Sequence, residues 1–326
     1  MEVRASAPAK VILFGEHFVV YNQPALVLAV DKRVQVSARL REDQHIHIRS
    51  SNLGLSAIFT EDHFQPQRRG KEAHRRLEPI RIATQKILDI SGEKVGVEIE
   101  ISSRIPVAAG LGSSAAVSAA VAASVSRLLN LQISKEKIFD ITLEAERFIH
   151  RTPSGIDPAI STYGGLILFQ KDRGVTPLEI DVDLPLVVGD TQLKRSTGDM
   201  VAEVGKRREQ CPSVIDPVLK AGAEIVQSAI QALKNGDLPE LGELMDINQG
   251  LLSAVGVSNE SLERIIYAAR NAGALGAKLT GAGGGGCMIA LCPEERLEDV
   301  AQAIREVGGT AFLARKTDDG VRVEAT

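Results

Sequence analysis

Residues 106–116 read PVAAGLGSSAA and run directly into a stretch, 114–129, built almost wholly from alanine, serine, valine and leucine. Such a composition predicts a helix buried on most of its sides rather than an amphipathic surface helix. The segment before it alternates, with Val95, Val97, Ile99 and Ile101 separated by other residues, which is the period of a half-buried strand. The glycines fall at the strand-to-helix turn. Gly110 and Gly112 let the backbone turn tightly and approach a ligand closely. Ser113 and Ser114 then stand where a helix gathers unpaired N–H groups and the positive end of its dipole, a setting for anions such as a triphosphate. Tight helix packing alone also accounts for small residues there. The segment is neither a GxxxxGK[ST] loop nor a GxGxxG fingerprint.

The rest of the chain mixes strands and helices. Residues 3–6 and 11–14 read as short strands around Pro8, 27–40 as a long β-rich stretch, and 45–49 as a further alternating segment. Helical spacing covers 77–90 and 138–150, the latter with Ser134 as a candidate cap. After residues 166–170 and 186–189, again strand-like, long helical patterns occupy 199–210, 216–234, 238–254 and 259–272. Strands at 287–291 and 311–315 flank a helix at 294–307. The change of character places a domain boundary near Asp183, giving domains over 1–183 and 184–326 with a cleft between them.

Composition narrows the classes. At 326 residues with 44% hydrophobic and 25% charged side chains, the chain can bury a sizeable core, built from Ala, Val, Leu and Ile because aromatics are scarce. A formal net charge of -4 argues against a nucleic-acid binder. The one dense basic run, RRGKEAHRR at 68–76, reads as a solvated loop or helix face. Three cysteines without paired or zinc-type spacing fit a reducing cytoplasm. No signal peptide or membrane-length apolar run is present.

Three further segments carry candidate chemistry. In APAKVILFGEH, residues 7–17, Lys10 opens an apolar strand, a costly place for an unpaired ammonium, and Glu16 and His17 follow at the strand end. In ERFIHRTPSGIDPAISTYGG, residues 146–165, Glu146 lies towards a helix end and Asp157 in a loop marked by Pro153, Gly155 and Pro158. Two carboxylates in different surroundings can divide the work of holding a metal and accepting a proton. In KLTGAGGGGCM, residues 278–288, four consecutive glycines lead into an apolar strand, which predicts a loop pressed against a ligand or another loop.

Together these segments resemble the GHMP kinases, with the three motifs in order at 7–17, 106–116 and 278–287 and spanning nearly the whole chain. Within the superfamily, KVILFGEHFVVYNQPAL at 10–26, PSGIDPAISTYGG at 153–165 and DTQLKRSTGDMVAEV at 190–204 are most similar to the branch that phosphorylates mevalonate. Ala9 and Pro158 depart mildly from the family pattern, where glycine and asparagine are common.

The resemblance implies a two-domain α+β fold with a ferredoxin-like C-terminal domain, and ATP-dependent phosphorylation of the C5 hydroxyl of mevalonate with Mg²⁺. It implies Asp157 and Lys10 as catalytic residues. Pro106, Ala108, Ala109, Gly110, Leu111, Gly112, Ser113, Ser114 and Ala115 would wrap the nucleotide phosphates. Ser114 and Glu146 would hold Mg²⁺. Glu16, His17, Arg195 and Thr197 would bind mevalonate, with Arg195 facing its carboxylate. The loop at 281–286 would brace the phosphate loop. A homodimer is compatible with the family. The rival readings are a GHMP kinase for another alcohol, such as phosphomevalonate, and a non-catalytic sensor on a kinase fold. The joint presence of Lys10, Ser114, Glu146 and Asp157 weighs against the sensor.

Overall fold

The computed structural model describes residues 2–60, 63–67, 70–105, 110–150, 154–193 and 196–325, with Lys71 and His150 described by backbone alone. In chain order the elements of the first lobe are β1 (Glu2–Phe14), β2 (Ala25–Arg41), β3 (Ile46–Ser50), β4 (Leu55–Phe59), β5 (Phe64–Pro66), α1 (Gly70–Ser91), β6 (Gly96–Ser103), α2 (Ser113–Leu128), α3 (Lys135–His150), α4 (Ile156–Tyr163), β7 (Leu166–Gln170) and β8 (Gly174–Leu178). The second part continues with β9 (Leu186–Asp190), α5 (Thr197–Gln210), α6 (Pro212–Asn235), α7 (Leu238–Ala254), α8 (Glu260–Asn271), β10 (Gly276–Leu279), β11 (Cys287–Leu291), α9 (Leu297–Glu306), β12 (Thr310–Ala314) and β13 (Arg322–Val323).

Two sheets organise the fold. The first runs β13-β1-β2-β6-β3-β4-β5, with β7 paired to β2 and β8 to β7. β3 lies parallel to β6 and the other pairings are antiparallel. The alanine-rich α2 packs on β1 and β2 and against both α1 and α3, with most of its side chains buried. Its small residues let the backbone approach two strands and two helices at once. The second sheet runs β10-β11-β9-β12, antiparallel throughout, with α8 and α9 packed on it. Strand–helices–strand–strand–helix–strand in that spatial order is the ferredoxin-like arrangement. The chain crosses from the first sheet to the second between β8 and β9, and its last strand, β13, returns to the first sheet beside β1.

Three local expectations change. Residues 3–6 and 11–14 are one strand, not two, because Pro8 sits at a register shift in the β1–β2 ladder, where its missing N–H does little harm. Asp157 is not in a loop. The glycine and proline around it mark a helix start: Gly155 has φ 87° at the cap, and Ile156, Ala159 and Ile160 bury one side of α4. Finally, α1 begins seven residues earlier than the apolar spacing at 77–90 indicated, so much of the basic run is helical. Its side chains at Glu72, His74 and Arg75 face solvent while Ala73 is buried, the solvated helix face anticipated for it. Arg68 and Arg69 lie outside the described residues.

Candidate active site

Lys10 lies within β1 and is only 6% exposed. Its backbone N–H donates to the carbonyl of Leu111 at 3.0 Å, fastening the strand to the glycine-containing turn before α2. Its Nζ stands 3.3 Å from Oδ1 of Asp157 in the first turn of α4. The ammonium is nearly enclosed, whereas the Asp157 side chain is one-third exposed. The carboxylate is therefore the accessible end of the pair, with the cation behind it.

Gly112 closes this arrangement from the α2 side. It caps α2 with φ 73°, a left-handed conformation that side chains rarely adopt. A Cβ there would lie 2.9 Å from Cγ of Lys10 and 3.6 Å from Cγ of Asp157. The left-handed φ agrees with the conformational need read from the sequence, and the atoms a side chain would meet belong to the Lys10–Asp157 pair. Gly112→Val should therefore lower kcat at least as much as ATP affinity. Calorimetric ATP binding alongside turnover in the folded variant checks this, and a loss confined to ATP affinity would contradict it.

Ser113 and Ser114 form the first turn of α2, partly exposed, and Ala115 is buried behind them. Gly110 is exposed with φ 72°, and Leu111 is buried. Pro106, Ala108 and Ala109 lie outside the described residues. Glu146 is 2% exposed on α3, which packs along α2. Of the groups read from the sequence, the fold brings Lys10, Gly112 and Asp157 together at the junction of β1, α2 and α4.

Glu16 and His17 differ from simple substrate ligands in their placement. The Glu16 carboxylate is wholly buried in an ion pair with Lys278 of β10, and Asn248 of α7 donates to it at 3.5 Å. Lys278 also donates to the carbonyl of Leu279 at 2.7 Å. Burial pushes the Glu16 carboxyl up and the Lys278 ammonium down. Lys278 has no role in the sequence reading, yet it carried the same signal as Lys10, a lysine embedded in apolar strand residues.

His17 is 5% exposed. Its Nε2 lies 2.8 Å from the carbonyl of Ala282 and donates to it, which leaves Nδ1 as an acceptor. Nδ1 is buried and has no partner within the described residues. Burial lowers the pKa of His17 below the ordinary 6.5. The imidazole is thus neutral at neutral pH, and the folded protein resists protonating it until the pH falls below that ordinary value. If Nδ1 accepts a hydroxyl from substrate, the KM for that substrate should stay flat as the pH falls through 6.5 and rise only in more acid solution. A pH series of KM checks this, and a rise beginning above 6.5 would contradict it.

The loop at 281–286 presses on neighbouring loops. Gly284 N–H donates to the carbonyl of Val257 at 2.7 Å, and Gly286 N–H to that of Leu193 at 2.9 Å. A Cβ at Gly283 or Gly285 would collide with those same two residues. Just before it, Thr280 Oγ1 donates to the carbonyl of Ile12 and accepts from its N–H, stitching β10 to β1. Among the described residues, the contacts of this segment run to β1, His17, Thr191, Leu193 and Val257; residues 106–109 of the phosphate loop that it was expected to brace lie outside them. Thr197 is exposed at the start of α5, next to the capping Ser196. Arg195 lies outside the described residues.

Comparison with known proteins is consistent with this geometry. Residues 79–165 match the model of the GHMP kinases N terminal domain, and 229–310 that of the GHMP kinases C terminal domain. The chain is 44% identical over 330 residues to the mevalonate kinase of Pyrococcus horikoshii, covering 99% of this chain and 98% of that protein. Its fold is similar to a crystal structure of L. major mevalonate kinase in complex with R-mevalonate, with a TM-score of 0.84, 28% identity, and 97% and 96% of the two chains covered. It is likewise similar to the Methanococcus jannaschii mevalonate kinase, with a TM-score of 0.83, 26% identity, and 97% and 98% covered. Near-complete coverage at this identity, on a site built from the three family motifs, makes the chain a member of the GHMP kinases and, among them, of the mevalonate kinase family.

Proposed function

We propose that the chain transfers the γ-phosphoryl group of ATP to the C5 hydroxyl of mevalonate, giving 5-phosphomevalonate and ADP. The observation that carries this is the Lys10–Asp157 pair, 3.3 Å apart and packed against Gly112 at the start of α2. It supplies a proton acceptor and a buried cation beside a helix N-terminus suited to phosphates. As the C5 oxygen bonds to the γ-phosphorus, its proton passes to Asp157 and the bond to the β-phosphate oxygen breaks. Lys10 stabilises negative charge developing on the C5 oxygen. Because phosphoryl transfer passes through a loose transition state, positioning carries much of the rate enhancement.

The residues present fit Mg²⁺ held in company with nucleotide. Among the described residues no cluster of three or more His, Cys, Asp or Glu side chains could form a closed cage. Mg²⁺ commonly uses one or two protein oxygens and completes its shell with water and phosphates. Ser114 and Glu146 are assigned as those oxygens, and the ion would neutralise charge on the terminal phosphates. For mevalonate, Arg195 is assigned to the carboxylate, with Thr197 beside it, and His17 to a hydroxyl. Glu16 acts from behind, through its ion pair. The lobes over 1–183 and 184–326 enclose the cleft.

An ADP-release assay with mevalonate, phosphomevalonate, homoserine and galactose tests this reading. ADP release with mevalonate alone is expected. Release with another alcohol and none with mevalonate would overturn the substrate, and no release with any would overturn the kinase.

A further inference from the structure

His17 occupies a backbone conformation that has to be held in place. Its φ of 60° and ψ of -41° lie outside the common regions, and Phe18 N–H donates to the Glu16 carbonyl at 2.7 Å. A hydrogen bond from residue i+2 back to residue i with positive φ at the centre is the classical γ-turn, a rare and strained form. Strained residues persist only where surrounding structure over-determines them, and they cluster at functional sites.

Both neighbours of His17 are anchored to the C-terminal part of the chain. On one side the Glu16 carboxylate is buried against Lys278 and Asn248. On the other, Phe18 is fully buried against α6, where Gly222 leaves no room for a side chain: a Cβ there would overlap the Phe18 ring. The imidazole is fixed in turn by Ala282, leaving the buried Nδ1 unpartnered. The histidine is thus clamped between two anchors and a carbonyl, with one acceptor atom to spare.

We infer that the Phe18–Gly222 contact and the Glu16–Lys278 pair are positioning devices that hold His17 in its strained turn so that Nδ1 meets a hydroxyl of the substrate. The inference rests on the assignment of His17 to mevalonate, and it adds Gly222, a residue of α6 remote from the motifs, to the determinants of substrate binding. Because Gly222 acts through Phe18 and His17, it moves substrate affinity without touching substrate.

The test uses the full chain and three sets of variants. Gly222→Ala should raise the KM for mevalonate about tenfold or more while leaving the KM for ATP within twofold. Adding Phe18→Leu to it makes room for the new methyl and should recover much of the loss. A folded Gly222→Ala protein with unchanged KM for mevalonate overturns the inference. So does a double variant no better than the single one.

The strain itself has a readout independent of activity and of whether Gly222→Ala folds. His17→Gly should melt at a higher temperature than His17→Ala, because only glycine accepts the turn without strain. The reverse order overturns the strained turn. His17→Ala also separates the two claims. If it leaves the KM for mevalonate unchanged, the assignment of His17 to substrate fails. If it raises KM while Gly222→Ala does not, the assignment stands and the positioning role fails.

Discussion

Asp157→Ala should lower kcat by roughly 10²–10⁴ while mevalonate still binds. The carboxylate stands at the open end of its pair with Lys10, where it would take the C5 proton as that oxygen reacts, and ground-state binding is assigned to other groups. Removing it leaves the Lys10 ammonium nearly enclosed without its partner. A modest fall in melting temperature should accompany the kinetic loss. Mevalonate affinity measured by calorimetry separates the effects: near-normal affinity with a large kcat defect marks a group acting in the transition state. Asp157→Asn refines this, since the amide fills the same space without accepting the proton. An alanine variant retaining more than a tenth of wild-type kcat would remove Asp157 from the chemistry.

Lys278→Met should destabilise the protein by about 3–5 kcal/mol, the usual consequence of stranding one member of a buried ion pair. The pH dependence identifies the stranded group. Burial already raises the folded-state pKa of Glu16 above its ordinary 4.5, and loss of the lysine removes two of the four attractions that oppose this, including the largest. Above pH 4.5 the folded variant then holds a proton that the unfolded chain gives up. Its stability is fullest below about 4.5 and declines as the pH rises. Urea unfolding should therefore show a larger deficit at pH 8 than at pH 5. Glu16→Leu combined with Lys278→Met should regain much of the loss, because a packed apolar pair is often no less stable than a buried ionic one. A deficit independent of pH would mean that Glu16 is not the group left behind.

Much of this site was legible because its signals are local. Gly110, Gly112, Ser113 and Ser114 sit in one unbroken segment, and a lysine placed among apolar strand residues asks for a partner wherever the fold is built. Lys10 found Asp157 in the way the motifs suggested. The Glu16–Lys278 pair was less legible, since 262 residues separate its members and nothing in either segment names the other. Asp157 was read into a loop because Gly155 and Pro158 interrupt a strand or helix interior, yet the same two residues favour a helix start. Gly222 gave no signal, as a glycine within a long helix looks like a weakness until the ring it accommodates is known. β13 is two residues long and has no periodicity to detect.

That short strand has a bearing on how the protein is made. Ser6 on β1 is hydrogen-bonded to Glu324, 318 residues away, and Ala5 pairs with Val323. At ~5–20 residues per second, a ribosome needs about 16–64 s to deliver the second partner after the first. Through that interval one border of the first sheet stays open in the nascent chain, with backbone donors and acceptors free to pair elsewhere. The N-terminal lobe cannot be completed as it emerges. It must wait for the C-terminal lobe to be synthesised, so residues translated after that lobe are the ones that close the first strand.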